Sequence, residues 1–484
     1  MINIKAISVN IGKALLVSAL FMALSIGVSL LYGRDTGFGP LMISFVITLI
    51  VGAFPFIFVR NVPALTLKDG YVTIVLAWIL SFIFGMLPYV LWGGEFTLVN
   101  AWFESVSGYT TTGATILNDV EALPKSLLFW RSSTHFIGGL GVVVFLLLVM
   151  PEASPYRLKL TNLELSSLSK EGYRYKSTKV VWIITSVYLI LAVSSCLALW
   201  ASGMPLFDAV NHAFSIAATG GFSTRNLSIA SFDSQLITIV TLCFMCVAAM
   251  HFGLLYAVFA TRSFKPLKHP VVKYYFGTIL IASLMISFSL MKDGGYESWG
   301  KAILDASFNV VSYMSTTGFA NCSNSSWPWL AAVVLIFVSI HCGCSGSTTG
   351  GIKLDRLLIS FKALANEIKR RLHPSSVSQV KLGKVTLPDG VVGAVMMYIV
   401  VYVLVIFASI VLVMLCGTDV SDAVTGVIAS VGSVGPAVGE LGSLDNYASQ
   451  LPMAKVIYTF DMFLGRLEIY PALIVISMIF KRDR

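Results

Sequence analysis

The chain has 484 residues, 56% of them hydrophobic and only 12% charged, with a mean hydropathy of +0.84. Soluble domains carry about 25% charged residues, so an ordinary water-soluble fold is excluded. The net charge of +9 reads as an orientation signal and not as a nucleic-acid footprint, because its basic residues fall in alternate connections between apolar runs.

Runs of roughly 20 apolar residues, enough to cross a hydrocarbon core of about 30 Å, recur along the chain. Membrane helices are predicted near 11–32, 39–59, 70–92, 125–149, 178–202, 233–260, 272–291, 328–358, 390–416 and 452–480. The fourth to seventh and the last are the clearest, and 328–358 is broken internally. Lys5 and Lys13 precede the first run as in a signal peptide, but the run is long for one and lacks a small-residue cleavage site. A retained first helix is expected.

Lys and Arg number two at the N-terminus, two at 60–68, six at 151–179, four at 262–273, eight at 353–384 and three at 481–484, which is 25 of the 33. The positive-inside rule puts these connections, and both termini, in the cytoplasm. The opposite connections hold 14 of the 24 acids, among them Glu95, Glu104, Asp119, Asp208, Asp305, Asp422 and Asp445. Such an outer rim attracts cations.

One phrase returns four times on that outer side. Thr112-Gly113-Ala114, Gly220-Gly221-Phe222, Thr317-Gly318-Phe319 and Val434-Gly435-Pro436 each lie thirteen residues, counted to the glycine, after Asn100, Asp208, Asp305 and Asp422, each followed by Ala. The Asp/Asn-Ala start suits a capped helix N-terminus. The helix then runs inward and points its partially negative C-terminal end at the membrane centre, where it favours a cation. Irregular backbone at that depth is tolerated only when buried in protein or lining water, and a glycine permits the positive φ that turns carbonyls toward an axis. One Thr-Gly alone is a turn or packing site; four copies, each followed by a membrane helix, read as four pore loops whose carbonyls replace an ion's hydration shell. The glycines are 108, 97 and 117 residues apart, too long a period for a solenoid. The units are therefore a two-helix lead-in at 1–69 and four helix–pore loop–helix repeats at 70–170, 171–268, 269–385 and 386–484.

Seven cysteines, an odd number at mostly intramembrane positions, argue against a disulfide framework. Cys243-x-x-Cys246 reads as packing and not as a metal site.

These phrases, the segment His341-Cys-Gly-Cys-Ser-Gly-Ser-Thr-Thr-Gly-Gly-Ile-Lys353 and the ending Gly465-Arg-Leu-Glu-Ile-Tyr-Pro471 resemble the Trk/Ktr/HKT superfamily of potassium transporters over nearly the whole chain, most of all its bacterial TrkH-type membrane subunits. The resemblance implies an all-α membrane protein with four non-identical repeats around one pseudo-fourfold pore, plus two extra N-terminal helices. It also implies a homodimer in the bacterial inner membrane, a separately encoded cytosolic RCK-type (TrkA-like) subunit that binds nucleotide, and K+ as the transported ion with no cofactor held by the chain. Carried onto this sequence, the filter carbonyls come from Thr111 and Thr112, Thr219 and Gly220, Thr316 and Thr317, and Ser433 and Val434. Gly113, Gly221, Gly318 and Gly435 are the pivots. In the family a glycine at the first pivot goes with potassium preference and a serine with sodium, so Gly113 points to potassium. The fourth copy, Gly432-Ser-Val-Gly-Pro436, departs furthest from a potassium channel's TVGYG, which implies looser discrimination.

In the third repeat the apolar run from 328 breaks at Gly343, Gly346, Gly350 and Gly351, and each glycine costs a helix about 1 kcal/mol relative to alanine. The resemblance puts a gating loop here, made by Gly343, Cys344, Ser345, Gly346, Ser347, Thr348, Thr349, Gly350, Gly351 and Lys353; a packing kink is the plainer reading. Ile352 separates Gly351 from Lys353, so a phosphate-binding GxxxxGK[ST] is not matched. Arg466 lies far into the last apolar run, where a charge usually faces a pore or a partner. It is either a barrier under the filter that meets the gating loop or one half of an ion pair with Asp461 or Glu468. Lys353, Asp355 and Arg356 are expected to snorkel at the inner boundary.

The residues bear on three functions. A gated potassium pathway is driven by membrane potential, about 2.3 kcal/mol per charge per 100 mV. A symporter coupling potassium to protons or sodium needs titratable midplane groups, for which Glu104, His212, Asp461 and Glu468 are the candidates, and usually shows inverted repeats, which are not seen. An intramembrane protease built on His341, Ser345 and Ser347 lacks HExxH and GxSxG, and the chain is not read as an enzyme.

Overall fold

The computed structural model describes residues 3–59, 65–149, 177–375, 379–383 and 385–480. The basic stretches at 60–68, 151–179 and 481–484 lie wholly or partly outside these residues, as does the boundary drawn at 170/171.

Two long helices, α1 (Ile4–Leu31) and α2 (Phe38–Phe58), form a hairpin in which Gly12 and Gly52 let the backbones approach closely. Buried hydroxyls on these helices turn back to their own carbonyls, as Ser44 does to Pro40 and Thr48 to Ser44, both at 2.7 Å. Bonded this way, the two hydroxyls need no water.

The rest is one unit repeated four times: a long helix, a short helix of 12 to 16 residues, an irregular limb and a second long helix. The first repeat comprises α3 (Leu67–Trp92), α4 (Leu98–Tyr109) and α5 (Lys125–Val149); the second α6 (Ser177–Ala201), α7 (Leu206–Ala218), α8 (Gln235–Ala248) and α9 (Phe252–Thr261). The third comprises α10 (Pro270–Asp293), α11 (Trp299–Met314), α12 (Trp329–His341) and α13 (Leu354–Leu372); the fourth α14 (Asp389–Leu415), α15 (Val420–Gly432), α16 (Pro452–Arg466) and α17 (Tyr470–Phe480). A two-residue ladder, Lys381–Leu382 with Val385–Thr386, is the only strand pairing among the described residues.

The second long helix of each repeat packs on the short helix of the next. These contacts are α5 on α7, α8 on α11, α12 on α15 and, closing the circle, α16 on α4. The chain therefore folds as a ring with the short helices inside. Large buried rings wedge behind them, among them Phe103, Trp130, Tyr188, Tyr275 and Tyr447.

Six described helices are long and apolar enough to cross a membrane: Ile4–Leu31, Phe38–Phe58, Lys68–Trp92, Val181–Ala201, Pro270–Asp293 and Asp389–Leu415. The protein is a multi-pass membrane protein. Two spans expected to be continuous are not. The run at 233–260 bends by 97° between α8 and α9, because the freed backbone groups find partners in the glycine-rich segment: Cys344 N donates to Ala249 O at 3.0 Å and Phe252 N to Gly346 O at 3.2 Å. The run at 452–480 breaks after Arg466, where Glu468 and Ile469 take φ of 57° and 60°. Glu468 is drawn there to Arg356 at 2.6 Å.

The repeated Asp/Asn-Ala does not cap the short helices either. Capping side chains, where present, come earlier: Thr97 accepts from Asn100 N and Asp419 from Ser421 N. Asn100, Asp208 and Asp422 sit one turn in and Asp305 deeper. There Asp208 accepts from Thr224 Oγ1 and Asp305 from Asn321 Nδ2, both at 2.7 Å, and Asp422 from Gln450 Nε2 at 3.0 Å. These three acids tie their short helices to the chain that follows, whereas Asn100 donates to Glu95 O at 2.8 Å and accepts from Lys455 Nζ at 3.0 Å.

A Cβ at Gly138 of α5 would run into Tyr109 O, while one at Gly277 of α10 would meet nothing within 4 Å. Gly138→Ala is expected to destabilise by about 1–3 kcal/mol through overpacking, and Gly277→Ala to be neutral or slightly stabilising. Thermal unfolding of the purified protein in detergent distinguishes the two.

Candidate functional site: four glycine-closed limbs and the segment beneath them

Each short helix ends the same way. Thr111, Thr219, Thr316 and Ser433 are left-handed, with φ of 53°, 55°, 55° and 53°, and the pivots Gly113, Gly221, Gly318 and Gly435 have φ of 83°, 84°, 76° and 87°. The residue between them is not left-handed. Four non-glycine residues in that region cost of order 1–3 kcal/mol each, so something must hold them. Thr112, Gly220, Thr317 and Val434 donate their N–H groups back to the carbonyls of Ser107, Ser215, Ser312 and Ala429 at 2.9, 2.8, 3.0 and 2.9 Å. One residue earlier, Thr111, Thr219, Thr316 and Ser433 donate to Gly108, Ile216, Tyr313 and Ser430 at 3.0–3.1 Å. The eight bonds repeat with fourfold regularity.

The limbs also meet one another in a closed circle. A Cβ at Gly113 would strike Gly220 O, at Gly221 Thr317 O, at Gly318 Val434 O and at Gly435 Thr112 O. Each glycine thus faces the carbonyl just ahead of the next repeat's glycine, and the fourth returns to the first. A side chain at any pivot would collide with a neighbour's backbone as well as strain its own.

Ser107, Ser215 and Ser312 stiffen three limbs from behind, donating to Ala114, Phe222 and Phe319 carbonyls at 2.6, 2.8 and 2.6 Å. Ala429 occupies the equivalent position in the fourth repeat, whose limb continues into Pro436. His135 stacks on Phe222 with ring centroids 4.1 Å apart and bonds Ser215 Oγ at 3.2 Å. Sequence reading missed these residues. The serines carried a signal, standing six residues before the pivot in three repeats; His135 carried none beyond being polar in an apolar run.

The segment from Cys342 to Lys353 is not helical and is mostly buried. It threads under the limbs: Thr348 Oγ1 donates to Ala217 O at 3.1 Å and pairs with Thr219 Oγ1 at 3.3 Å, and Gly350 N donates to Thr316 Oγ1 at 3.2 Å. A Cβ at Gly350 would meet Gly432 O. It thus touches the inner ends of the second, third and fourth short helices. The Thr111 and Ser433 hydroxyls are buried and find no hydrogen-bond partner among the described residues.

Arg466, 3% exposed, reaches this segment from the end of α16 and donates Nη1 to Thr348 O at 2.5 Å. Its Nε and Nη2 find no hydrogen-bond partner among the described residues. Neither acid proposed as its ion-pair partner is so used: Glu468 pairs with Arg356, and Asp461 accepts from Ser409 Oγ at 2.6 Å. Lys353 does not snorkel; it is buried and donates Nζ to Thr349 O and Oγ1. Asp355 is buried too and accepts from Ser345 N at 2.5 Å, while Arg356 lies 4.0 Å over the Tyr398 ring. The protease reading finds no geometry, since His341 packs against Phe337 and Ser347 Oγ donates to Cys344 O.

On the outer side, Asn226 Nδ2 donates to Asp119 at 2.8 Å and holds that carboxyl below the usual carboxylate range. Glu104 and His212, considered for coupling, are engaged otherwise. Glu104 is paired with Arg131 at 2.7 Å, and the His212 ring nitrogens meet Asp208 O at 2.7 Å and Ser223 Oγ at 3.0 Å.

Known proteins share this architecture and sequence. The TrkH family profile, described as cation transport protein, matches residues 40–484. The chain is 34% identical over 430 residues to the Trk system potassium uptake protein TrkH of Salmonella typhimurium, covering 88% of each chain. It is 34% identical over 481 residues to the protein of the same name from Halomonas elongata, covering 98% of each. The crystal structure of the potassium transporter TrkH from Vibrio parahaemolyticus superposes with a TM-score of 0.86 at 32% identity, covering 98% of this chain and 99% of that one. With its ring of four limbs and a family match across nearly its whole length, this chain belongs to the TrkH family of cation transport proteins.

Proposed function

We propose that the protein takes up potassium across the bacterial inner membrane through a filter of backbone carbonyls. Those of Thr111, Thr112, Thr219, Gly220, Thr316, Thr317, Ser433 and Val434 are the ligands. The observation that carries this reading is the closed circle in which each pivot glycine faces the next repeat's carbonyl. Oxygens held that way replace a hydration shell around a dehydrated cation. Potassium enters as the ion named for the relatives, and these are uptake proteins rather than enzymes.

The Gly343–Lys353 segment is the gate. It lies across the inner ends of three short helices, and Arg466 both anchors it and places a positive charge under the limbs. The partner named by the family likeness is a cytosolic RCK-type, TrkA-like nucleotide-binding subunit, with the membrane protein itself a homodimer. Both termini face the cytoplasm, and the repeats run at 70–170, 171–268, 269–385 and 386–484 after the lead-in at 1–69. Hydrogen-bonded burial of Glu104 and His212 favours a channel-like pathway over proton or sodium symport.

Ion flux in liposomes tests the filter. Gly113→Ser puts a side chain against Gly220 O on a φ of 83° and is expected to raise the sodium-to-potassium permeability ratio; an unchanged ratio removes that glycine from the filter. Arg466→Ala is expected to increase potassium flux, and reduced flux at normal expression would make the arginine a structural anchor only. Under a proton gradient the current should reverse at the potassium Nernst potential whatever the pH, whereas a pH-dependent reversal would establish coupling.

A further inference from the structure

We infer that the buried Arg131–Glu104 pair is a positioning device that sets ion discrimination by clamping the outer limbs of the first and second repeats together. The inference rests on the reading of those limbs as the filter.

Arg131 stands on α5 and Glu104 on α4, and their side chains are 2% and 0% exposed. The guanidinium is used on all sides. Its Nε and Nη2 meet Glu104 Oε1 at 2.8 and 2.7 Å, and Nη2 also reaches Thr115 Oγ1 at 3.3 Å. Nη1 donates to Ser223 O at 3.2 Å, and the plane lies 4.0 Å from the Phe222 ring centroid. Glu104 accepts in addition from Thr115 Oγ1 at 3.0 Å and from Ile116 N at 3.1 Å. The pair therefore grips Thr115 and Ile116, two and three residues beyond Gly113, and Phe222 and Ser223, one and two beyond Gly221.

Beside the limbs the other three junctions are held by neutral bonds, joined by two bonds with a single charged partner, Ser325 Oγ to Asp445 Oδ2 at 2.8 Å and Lys455 Nζ to Asn100 Oδ1 at 3.0 Å. Ile229 N donates to Ala320 O at 3.0 Å, Tyr313 OH to Ala437 O at 2.6 Å, and Tyr447 N to Thr115 O at 2.8 Å. Positions matching Glu104 in repeats two to four hold His212, Asn309 and Gly426. Hydrogen bonds to charged groups are about twice as strong as neutral ones, and a guanidinium fork fixes direction as well as distance. The first junction is thus the one gripped from behind by a buried guanidinium fork. Asp119–Asn226 and Glu121–Arg225 also cross it, but on the exposed rim, where such contacts contribute little.

Arg131 also lines the outer mouth together with the four pivots. Glu104 cancels its charge, which would otherwise repel an arriving cation. Charge and geometry are separable by mutation. Lysine keeps the positive charge but has no planar fork to hold Glu104, Thr115 and Ser223 at once.

The test is potassium, rubidium and sodium flux in liposomes holding equal amounts of full-length protein of matched elution on gel filtration. Arg131→Lys is expected to lower the potassium-to-sodium permeability ratio about tenfold, equivalent to ~1.4 kcal/mol of lost discrimination. Glu104→Gln is expected to lower potassium flux by leaving the arginine charge uncancelled. Glu104→Gln combined with Arg131→Met should restore flux and leave discrimination poor. Thr115→Val, which keeps both charges, guards against misfolding of the charge variants and should lower the ratio in the same direction. Parental ratios in both Arg131→Lys and Thr115→Val, with a changed ratio in Gly113→Ser, would overturn the clamp while sparing the filter. Parental ratios in all three would overturn both readings.

Discussion

Peptide carbonyls at membrane depth must be satisfied by protein, by water or by an ion, and this protein exposes rows of them in four irregular limbs. Such a limb cannot stand alone in lipid. Its shape is held by backbone bonds to its own short helix and by the neighbouring limb packed against its glycine. The ring is therefore a mutual arrangement: each repeat supplies the wall that the preceding one leans on, and the fourth must return to the first. The long helices, the buried aromatic rings and the short-helix ends exist to keep that circle closed.

Fourfold repetition in a single chain permits unequal quarters. The backbone bonds at the limb base are kept in all four repeats, whereas the side chains behind them are not. Serine supports three limbs and alanine replaces it in the fourth; among the described residues an ion pair buried on both sides stands behind the first limb only. The backbone geometry is held constant, and the surroundings diverge. A homotetrameric ring could not place one charge pair at one junction.

Below the limbs, the three interrupted spans are one feature. The break in α12–α13 produces the glycine-rich segment; the break at α8–α9 supplies backbone partners for it at Ala249 and Phe252; the break at α16–α17 brings Arg466 to Thr348 and Glu468 to Arg356. Each interruption would be costly alone, since freed N–H and C=O groups in a membrane need partners. Together they partly satisfy one another.

Much of this was legible in the residues. Hydropathy located the helices to within a few residues for most spans, with the first helix starting earlier, at Ile4, and the recurring glycines marked the limbs, since only glycine takes that conformation at such close approach. The breaks at 249–251 and 467–469 were invisible: neither contains glycine or proline, and each exists because a distant segment offers its backbone a partner. The left-handed threonines were hidden for the same reason, since threonine has no local preference for that region. Lys353 and Asp355 looked like boundary charges by position and proved to be buried. Local chemistry, then, determined where the chain crosses the membrane and where it must turn. Which turns face each other, which charges pair and which helices break was decided only by the closed ring, because those choices depend on groups a hundred or more residues apart.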